Sequence, residues 1–236
     1  MKNKYTAVVT GATRGIGYAI AKRLVDDGYY VVATGTDING TVPVGTEYQQ
    51  VNFLDSLSLE HFTNKIKILG VNILVNNAGI NKIDAFDKIN YKDLDDIINV
   101  NLKAPFLLCQ KVLPYMKEKQ WGRIVNISSI FGHITKEYRA SYSTSKFGLD
   151  GMTAALAAEV SEFNILANCV GPGFIDTDLT RKVLGNDGIL ELQQRIPIKR
   201  LGKPEEIASL VSWLVSDENT YVTGQNIIID GGFSRV

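Results

Sequence analysis

The stretch Thr6-Ala7-Val8-Val9-Thr10-Gly11-Ala12-Thr13-Arg14-Gly15-Ile16-Gly17 decides the fold. Residues 6–10 form a β-rich run. Ile16, Ile20 and Leu24 then fall at helical spacing and stop at Gly28, a residue suited to the position after a helix. Between the two patterns lie Gly11, Gly15 and Gly17, spaced G-x-x-x-G-x-G rather than G-x-G-x-x-G. Glycines there permit a tight turn and close approach of backbone to phosphate oxygens at a helix N-terminus. Taken alone, such a turn also suits any tight strand–helix connection. Its place in the first strand–helix unit favours a dinucleotide pyrophosphate.

The alternation continues outward from this unit. Strand-like runs at 29–33, 48–51, 73–75, 123–128, 166–170 and Asn226–Ile229 are separated by helical patterns. Leu59, Phe62, Ile66 and Leu69 mark one helix ending near Gly70, and others span 91–119, 142–162 and Pro204–Val215. Pro105 is expected to interrupt the long one. Residues 34–47 contain Gly35, Asn39, Gly40, Pro43 and Gly45 and read as a loop, not a crossover helix. The pattern predicts an α/β fold with a parallel sheet and crossover helices. No repeat, low-complexity tract or linker divides residues 1–236, so one domain is expected.

Composition sets bounds. The 236 residues are 45% apolar and 21% charged, as in an ordinary globule able to bury a full core. Lys+Arg and Asp+Glu balance at 25 each, so no broad field draws nucleic acid or an anionic membrane. Cys109 and Cys169 lack metal-type spacing and read as buried reduced thiols; no metal site is indicated. Residues 1–4 run straight into a strand without a signal-type stretch, and no apolar run approaches membrane-helix length. A cytoplasmic protein is expected.

The chemistry begins with Tyr142 and Lys146, at i and i+4 and hence on one helix face, 13 and 17 residues after Ser129. The ammonium is expected to pull the phenol from its usual pKa near ~10 toward neutrality. A serine hydroxyl at a strand end would hold a carbonyl oxygen beside it. These residue types point to carbonyl/alcohol redox chemistry. Enzymes using NAD place an acid at the end of the second strand for the ribose 2′-hydroxyl. Val31-Val32-Ala33-Thr34-Gly35-Thr36 offers none, and Asp37 comes only afterwards. Arg14 and Thr36 suit a 2′-phosphate instead, which favours NADPH over NADH.

TGATRGIG (10–17), NNAG (76–79), NVNL (99–102), ISS (127–129), YSTSK (142–146) and PGFIDT (172–177) occur in that order. Through them the chain resembles the short-chain dehydrogenase/reductase family over essentially its whole length. The resemblance implies a single doubly wound, Rossmann-type domain with a seven-stranded parallel sheet flanked by helices, assembled as a homotetramer. It implies Asn101, Ser129, Tyr142 and Lys146 as the catalytic set. Tyr142 would give the proton, Lys146 would also bind the nicotinamide ribose, Ser129 would orient the substrate oxygen, and Asn101 would hold a water chain. Ser129 rather than Ser128 matches the family spacing. For the cofactor it implies Gly11, Thr13, Arg14, Gly15, Ile16, Gly17 and Thr36 around the phosphates, and Asn77, Ala78 and Gly79 beside the adenosine. Asn52 and Phe53 would meet the adenine, with Pro172, Gly173, Ile175 and Thr177 along the nicotinamide. Asn76 and Asn77 could equally serve only backbone.

Among subgroups the chain is most similar to bacterial 3-oxoacyl-[acyl-carrier-protein] reductases, through GRIVNISS (122–129), RIPIKRLGKPEEIA (195–208) and VTGQNIIIDGG (222–232). That implies NADPH-dependent reduction of a 3-oxoacyl thioester, with acyl carrier protein as a partner. Two features lean away from it. Gln120-Trp121 and Glu162-Phe163 stand where docking cations are expected, with only Lys117 and Lys119 nearby, and those read as solvated helix-end charges. The run His133-Ile134-Thr135-Lys136-Glu137-Tyr138-Arg139 is polar for an acyl pocket; Lys136 and Arg139 leave room for a hydroxylated or anionic substrate. A dehydrogenase of a sugar, polyol or other secondary alcohol is the alternative within the class. A silent dinucleotide sensor is the alternative outside it, and the intact proton-donor set argues against that. Residues 179–194, with Gly185-Asn186-Asp187-Gly188, read as a flexible substrate lid.

Overall fold

The computed structural model describes residues 5–236. Residues 1–4, read above as leading straight into a strand, lie outside the described residues. Seven strands form one parallel sheet: β1 (Thr6–Val9), β2 (Tyr30–Gly35), β3 (Thr46–Gln50), β4 (Ile73–Asn76), β5 (Gly122–Ile127), β6 (Ile165–Pro172) and β7 (Asn226–Ile229). Their order is β3-β2-β1-β4-β5-β6-β7. From β1 the chain winds outward to β3, then returns to β4 and winds the other way. The crevice beyond the C-terminal ends of β1 and β4 is therefore the switch point where such sheets bind ligands.

The helices are α1 (Gly15–Asp26), α2 (Ser56–Leu69), α3 (Tyr91–Ile98), α4 (Ala104–Lys119), α5 (Ala140–Val160), α6 (Asp178–Arg195) and α7 (Pro204–Val215). Successive strand residues point to opposite faces, and β1 shows the consequence. Ala7 and Val9 pack with Ile20 and Leu24 of α1 and Val211 of α7, while Val8 packs with Phe62 and Ile66 of α2 and Leu108 of α4. The inner strands β1, β2, β4, β5 and β6 are buried on both sides, which explains their apolar runs, whereas the edge strand β3, Thr-Glu-Tyr-Gln-Gln, has no buried residue. The loop between β2 and β3 carries no helix, as its glycines and proline indicated.

One expectation is corrected. The long helical region 91–119 is interrupted not at Pro105 but before it, by a π-helical turn at Asn99–Lys103. Pro105 sits in the first turn of α4, where a missing N–H is tolerated. The segment 179–194, expected as the lid, is helical. It is α6, broken at Gly185, whose φ of 63° and ψ of −177° lie outside the helical region. Leu192 and Ile196 are buried with Leu201 against Phe174, Leu184 and Phe233. That small core outweighs the turn-forming tendency of Gly-Asn-Asp-Gly.

Candidate active site

The glycine turn after β1 is locked from two sides. The N–H of Gly11 donates to Thr34 Oγ1 (3.2 Å) and that of Ala12 to the Thr34 carbonyl (2.8 Å), tying the turn to β2. From the β4 side, Asn77 Nδ2 donates to the carbonyls of Thr10 and Gly11, both at 2.9 Å. Thr10 Oγ1 accepts the N–H groups of Asn77 (2.9 Å) and Ala78 (3.0 Å). This contact leaves no room for side chains: a Cβ on Gly11, at φ +64°, would stand 2.8 Å from Ala78 Cα, and one on Gly17 2.3 Å from Asn77 Nδ2. Asn77 is thus a clamp between strand ends, and Asn76 donates to Asn126 Oδ1 (2.8 Å) in the core.

The lock presents the N-terminus of α1 to the crevice. Its N-cap, Arg14, makes no side-chain cap bond, and no acidic residue occupies the first turn. The orphan N–H groups and positive dipole end remain available for an anion. Arg14 and Thr36 are exposed, Thr13 packs against Gly35, and Ile16 packs on the core. Opposite, Thr177 caps α6 by accepting the N–H of Thr180 (3.3 Å), and its Cγ2 lies 3.4 Å from where a Cβ of Gly15 would be. Pro172 ends β6, the N–H of Gly173 donates to Ile229 (2.9 Å), and buried Ile175 bridges to Gly202. These residues converge on the switch point. Asn52 and Phe53 serve their own turn: Asn52 Oδ1 accepts the N–H of Leu54 (3.0 Å), and the Phe53 ring is buried against Phe62.

The proton-handling residues meet at the ends of β4 and β5. Ser129 follows β5 as the cap of a single 3₁₀ turn, its Oγ accepting the N–H of Phe131 (3.1 Å). The Ser128 hydroxyl instead donates to the Lys146 carbonyl (3.4 Å), which fastens α5 and leaves Ser129 as the serine of the site. Tyr142 is half-buried and Lys146 is buried; the Lys146 Nζ lies 5.7 Å from the centre of the Tyr142 ring. Lys146 donates to the Ile127 carbonyl (2.7 Å). Asn101, in the π turn, donates to the Ile80 carbonyl (2.9 Å) and Ser145 Oγ (3.1 Å) and accepts the N–H of Ile80 (2.8 Å). Ser145 in turn donates to the Tyr142 carbonyl (2.7 Å). Asn101 thereby ties the loop after β4 to the start of α5, with Gly79 between Asn101 and Lys146.

The electrostatics correct one expectation. Lys146 does not draw Tyr142 toward neutrality in the protein alone. Burial pushes the phenol above its ordinary value, and the Ser129 hydroxyl and the Arg139 guanidinium only offset part of that rise. Burial also lowers Lys146 to about 8. With no carboxylate partner among the described residues and turned to a backbone carbonyl, this lysine is itself short of compensation.

A cavity of about 420 Å³ is bounded by Phe131, Phe174 and Phe233 and by Lys136, Arg195 and Arg139, the cation whose charge acts on the Tyr142 phenol. The aromatic rings meet edge to face at 6.3 Å and 5.1 Å. Sequence reasoning found Lys136 and Arg139 but missed Thr10, Thr34, Ser145, Arg195 and the aromatic floor. Thr10 lies inside the quoted TGATRGIG motif, yet spacing speaks only of its glycines; the others carry no local signal.

Comparison with known proteins agrees with this geometry. A family profile described as Enoyl-(Acyl carrier protein) reductase matches residues 11–234. The 3-oxoacyl-[acyl-carrier-protein] reductase of Aquifex aeolicus is 40% identical over 96% of both chains. The enzyme of that name from Escherichia coli is 39% identical over 98% of this chain and 97% of its own. The acetoacetyl-CoA reductase of Cupriavidus necator is 39% identical over 96% of each. Among solved structures, a gluconate 5-dehydrogenase from Burkholderia cenocepacia, in complex with NADP and tartrate, superposes with a TM-score of 0.91 at 25% identity, covering 99% of this chain and 96% of the other. Matched by profile, by sequence and by fold along nearly its entire length, the chain belongs to the short-chain dehydrogenase/reductase family.

Proposed function

We propose that this protein is an NADPH-dependent carbonyl reductase acting on a 3-oxoacyl thioester. The observation that carries the reading is the meeting of Ser129, Tyr142 and Lys146 beside the glycine cradle at one end of the sheet. The relatives named for 3-oxoacyl-carrier and acetoacetyl-CoA reduction support the substrate.

The residues fit NADPH. The uncapped first turn of α1 receives the pyrophosphate, and exposed Arg14 with Thr36 receives the 2′-phosphate. Asn77, Ala78 and Gly79 line the adenosine side, and the Asn52–Phe53 turn borders the adenine through its backbone. Pro172, Gly173, Ile175 and Thr177 flank the nicotinamide. When bound, the reduced nicotinamide supplies a hydride for the carbonyl carbon. Ser129 donates a hydrogen bond to the carbonyl oxygen, and Tyr142 protonates that oxygen as charge develops on it. Lys146 has ammonium protons beyond the one given to Ile127; these meet ribose hydroxyls and its charge steadies the phenolate left behind. Asn101 holds the surrounding loop in register for proton resupply.

α6 closes over the aromatic cavity as the substrate lid, with Gly185 as its hinge. Acyl carrier protein is the proposed carrier of the thioester. A homotetramer is supported by an apolar groove between α4 and α5, lined by Leu102, Phe106, Leu113, Met152 and Leu156. A cytoplasmic setting accords with the free, buried thiols of Cys109 and Cys169. Oxidoreduction of a hydroxylated sugar or sugar acid is a second reading, favoured by the cations around the cavity and by the gluconate 5-dehydrogenase neighbour. Initial rates with acetoacetyl-CoA decide between them. Fast turnover with NADPH and slow turnover with NADH is expected; cofactor binding without turnover would refute the thioester reading.

A further inference from the structure

Arg139 and Arg123 both keep an unpartnered Nε, but Arg123 gives its other N–H groups to the carbonyls of Gly122, Asn164 and Asn219. Arg139 is half-buried at the start of α5, its guanidinium stacked 5.3 Å from the Phe131 ring centre. Its Nε is buried without a hydrogen-bond partner, and among the described residues no carboxylate pairs with it. By contrast, Arg181 and Arg200 pair with Asp176 and Glu206 at 2.7 and 2.6 Å. Partly burying a guanidinium without a hydrogen-bond partner is costly, and an arriving anion would offset that cost. Arg139 also lines the aromatic cavity, with Arg195 held 5.7 Å from the Phe233 ring centre and exposed Lys136. Against these three cations, the described lining carries the carboxylate of Glu191. The apolar floor accommodates a carbon chain, and the planar guanidinium fork matches a carboxylate.

We infer that Arg139 is a specificity-determining residue that binds a carboxylate carried on the substrate's own carbon skeleton, so that the preferred carbonyl substrate is an acid. This rests on the carbonyl reductase reading and names its substrate class more closely. The carboxylate enters along the aromatic floor, takes the fork of Arg139 with Arg195 nearby, and leaves the ketone between Ser129 and Tyr142.

The test uses two ketones of matched length, ethyl 3-oxohexanoate and the monoethyl ester of 3-oxoadipate, which differ only in a terminal methyl or carboxylate. With NADPH in excess, the wild-type enzyme should prefer the acid by about 30-fold in kcat/KM, the scale of one charge-assisted hydrogen bond, mostly through KM. Arg139→Gln should collapse that ratio toward one, whatever loss both substrates share, and Arg139→Lys should retain part of it. The wild-type ratio tests the inference even if a variant fails to fold. Turnover of both ketones without preference for the acid would overturn the inference and leave the reductase reading standing. An unchanged ratio in folded Arg139→Gln would overturn it too. A wild-type enzyme inert toward both ketones and toward acetoacetyl-CoA would overturn the two together.

Discussion

Lys146 holds its charge where water scarcely reaches, and this shapes stability as well as chemistry. Its pKa is lowered to about 8 in the folded protein by burial, against an ordinary 10.5. Between those values the unfolded chain binds more protons, so this residue makes stability rise with pH from about 8 toward 10.5. Lys146→Met should therefore melt higher than the wild type near pH 7, with the difference shrinking as pH rises toward 10, while turnover is lost. The comparison is read as a difference between the two proteins. Cys109 and Cys169, pushed up to about 12 by burial, contribute the opposite slope above pH 9 in both. Melting curves of cofactor-free protein across that range check it; a constant difference would refute the buried-ammonium account. Arg14 gives the second prediction at this scale. Arg14→Ala should raise KM for NADPH roughly tenfold, the scale of a charge-assisted contact, and leave that for NADH within about twofold. Equal effects on both cofactors would remove its phosphate role. Ser129, Tyr142, Lys146 and the glycines were legible because their roles depend on spacing along one chain. Thr10, Thr34 and Ser145 were not, because a hydroxyl's partner is chosen by the strand that folding brings beside it.

Among the elements, α7 couples stability to the site. Glu206 accepts the Lys203 N–H (2.7 Å) and pairs with Arg200. The same segment carries Gly202, which donates to Phe174 (2.9 Å) and accepts the N–H of Asp176 (2.8 Å). Arg200 and the backbone bond hold Glu206 at about 2, below the usual 4.5. Its stabilisation is present above pH 4.5 and is lost as pH falls toward 2. Glu206→Gln should cost about 1 kcal/mol at pH 7, since both partners are partly exposed and water screens the pair. Chemical denaturation at pH 7 and pH 3 checks it: a cost that does not shrink at the lower pH would contradict the pairing. Most element positions could be read from alternation alone, because strands buried on both faces and helices with one apolar face leave different periods. α6 could not. Its Gly-Asn-Asp-Gly signal is local, whereas the contacts of Leu192 and Ile196 with Leu201 and Phe174 are not. The π turn at Asn99–Lys103 was also hidden, since only its position before Pro105 marks it.

For the whole molecule, the sheet order brings residues from the ends of β1 to β6 to one crevice, and the chemistry is a property of that convergence. Phe106, 53% exposed, lines the apolar groove of α4 and α5, a surface suited to burial by another subunit. In the proposed homotetramer, Phe106→Asp should give a smaller species than the wild type in sedimentation analysis, with the fold retained by circular dichroism. A wild-type monomer would contradict the proposed assembly. Strand order follows from motif order and the winding rules, whereas assembly depends on a surface whose partner no single chain displays. The most direct measurement is steady-state NADPH oxidation with acetoacetyl-CoA by Tyr142→Phe, alongside NADPH binding by fluorescence titration. Turnover should fall at least about a thousandfold, as for loss of a positioned proton donor, with cofactor affinity within a few-fold of wild type. Near-normal turnover in that variant would contradict the assignment of Tyr142 as the proton donor.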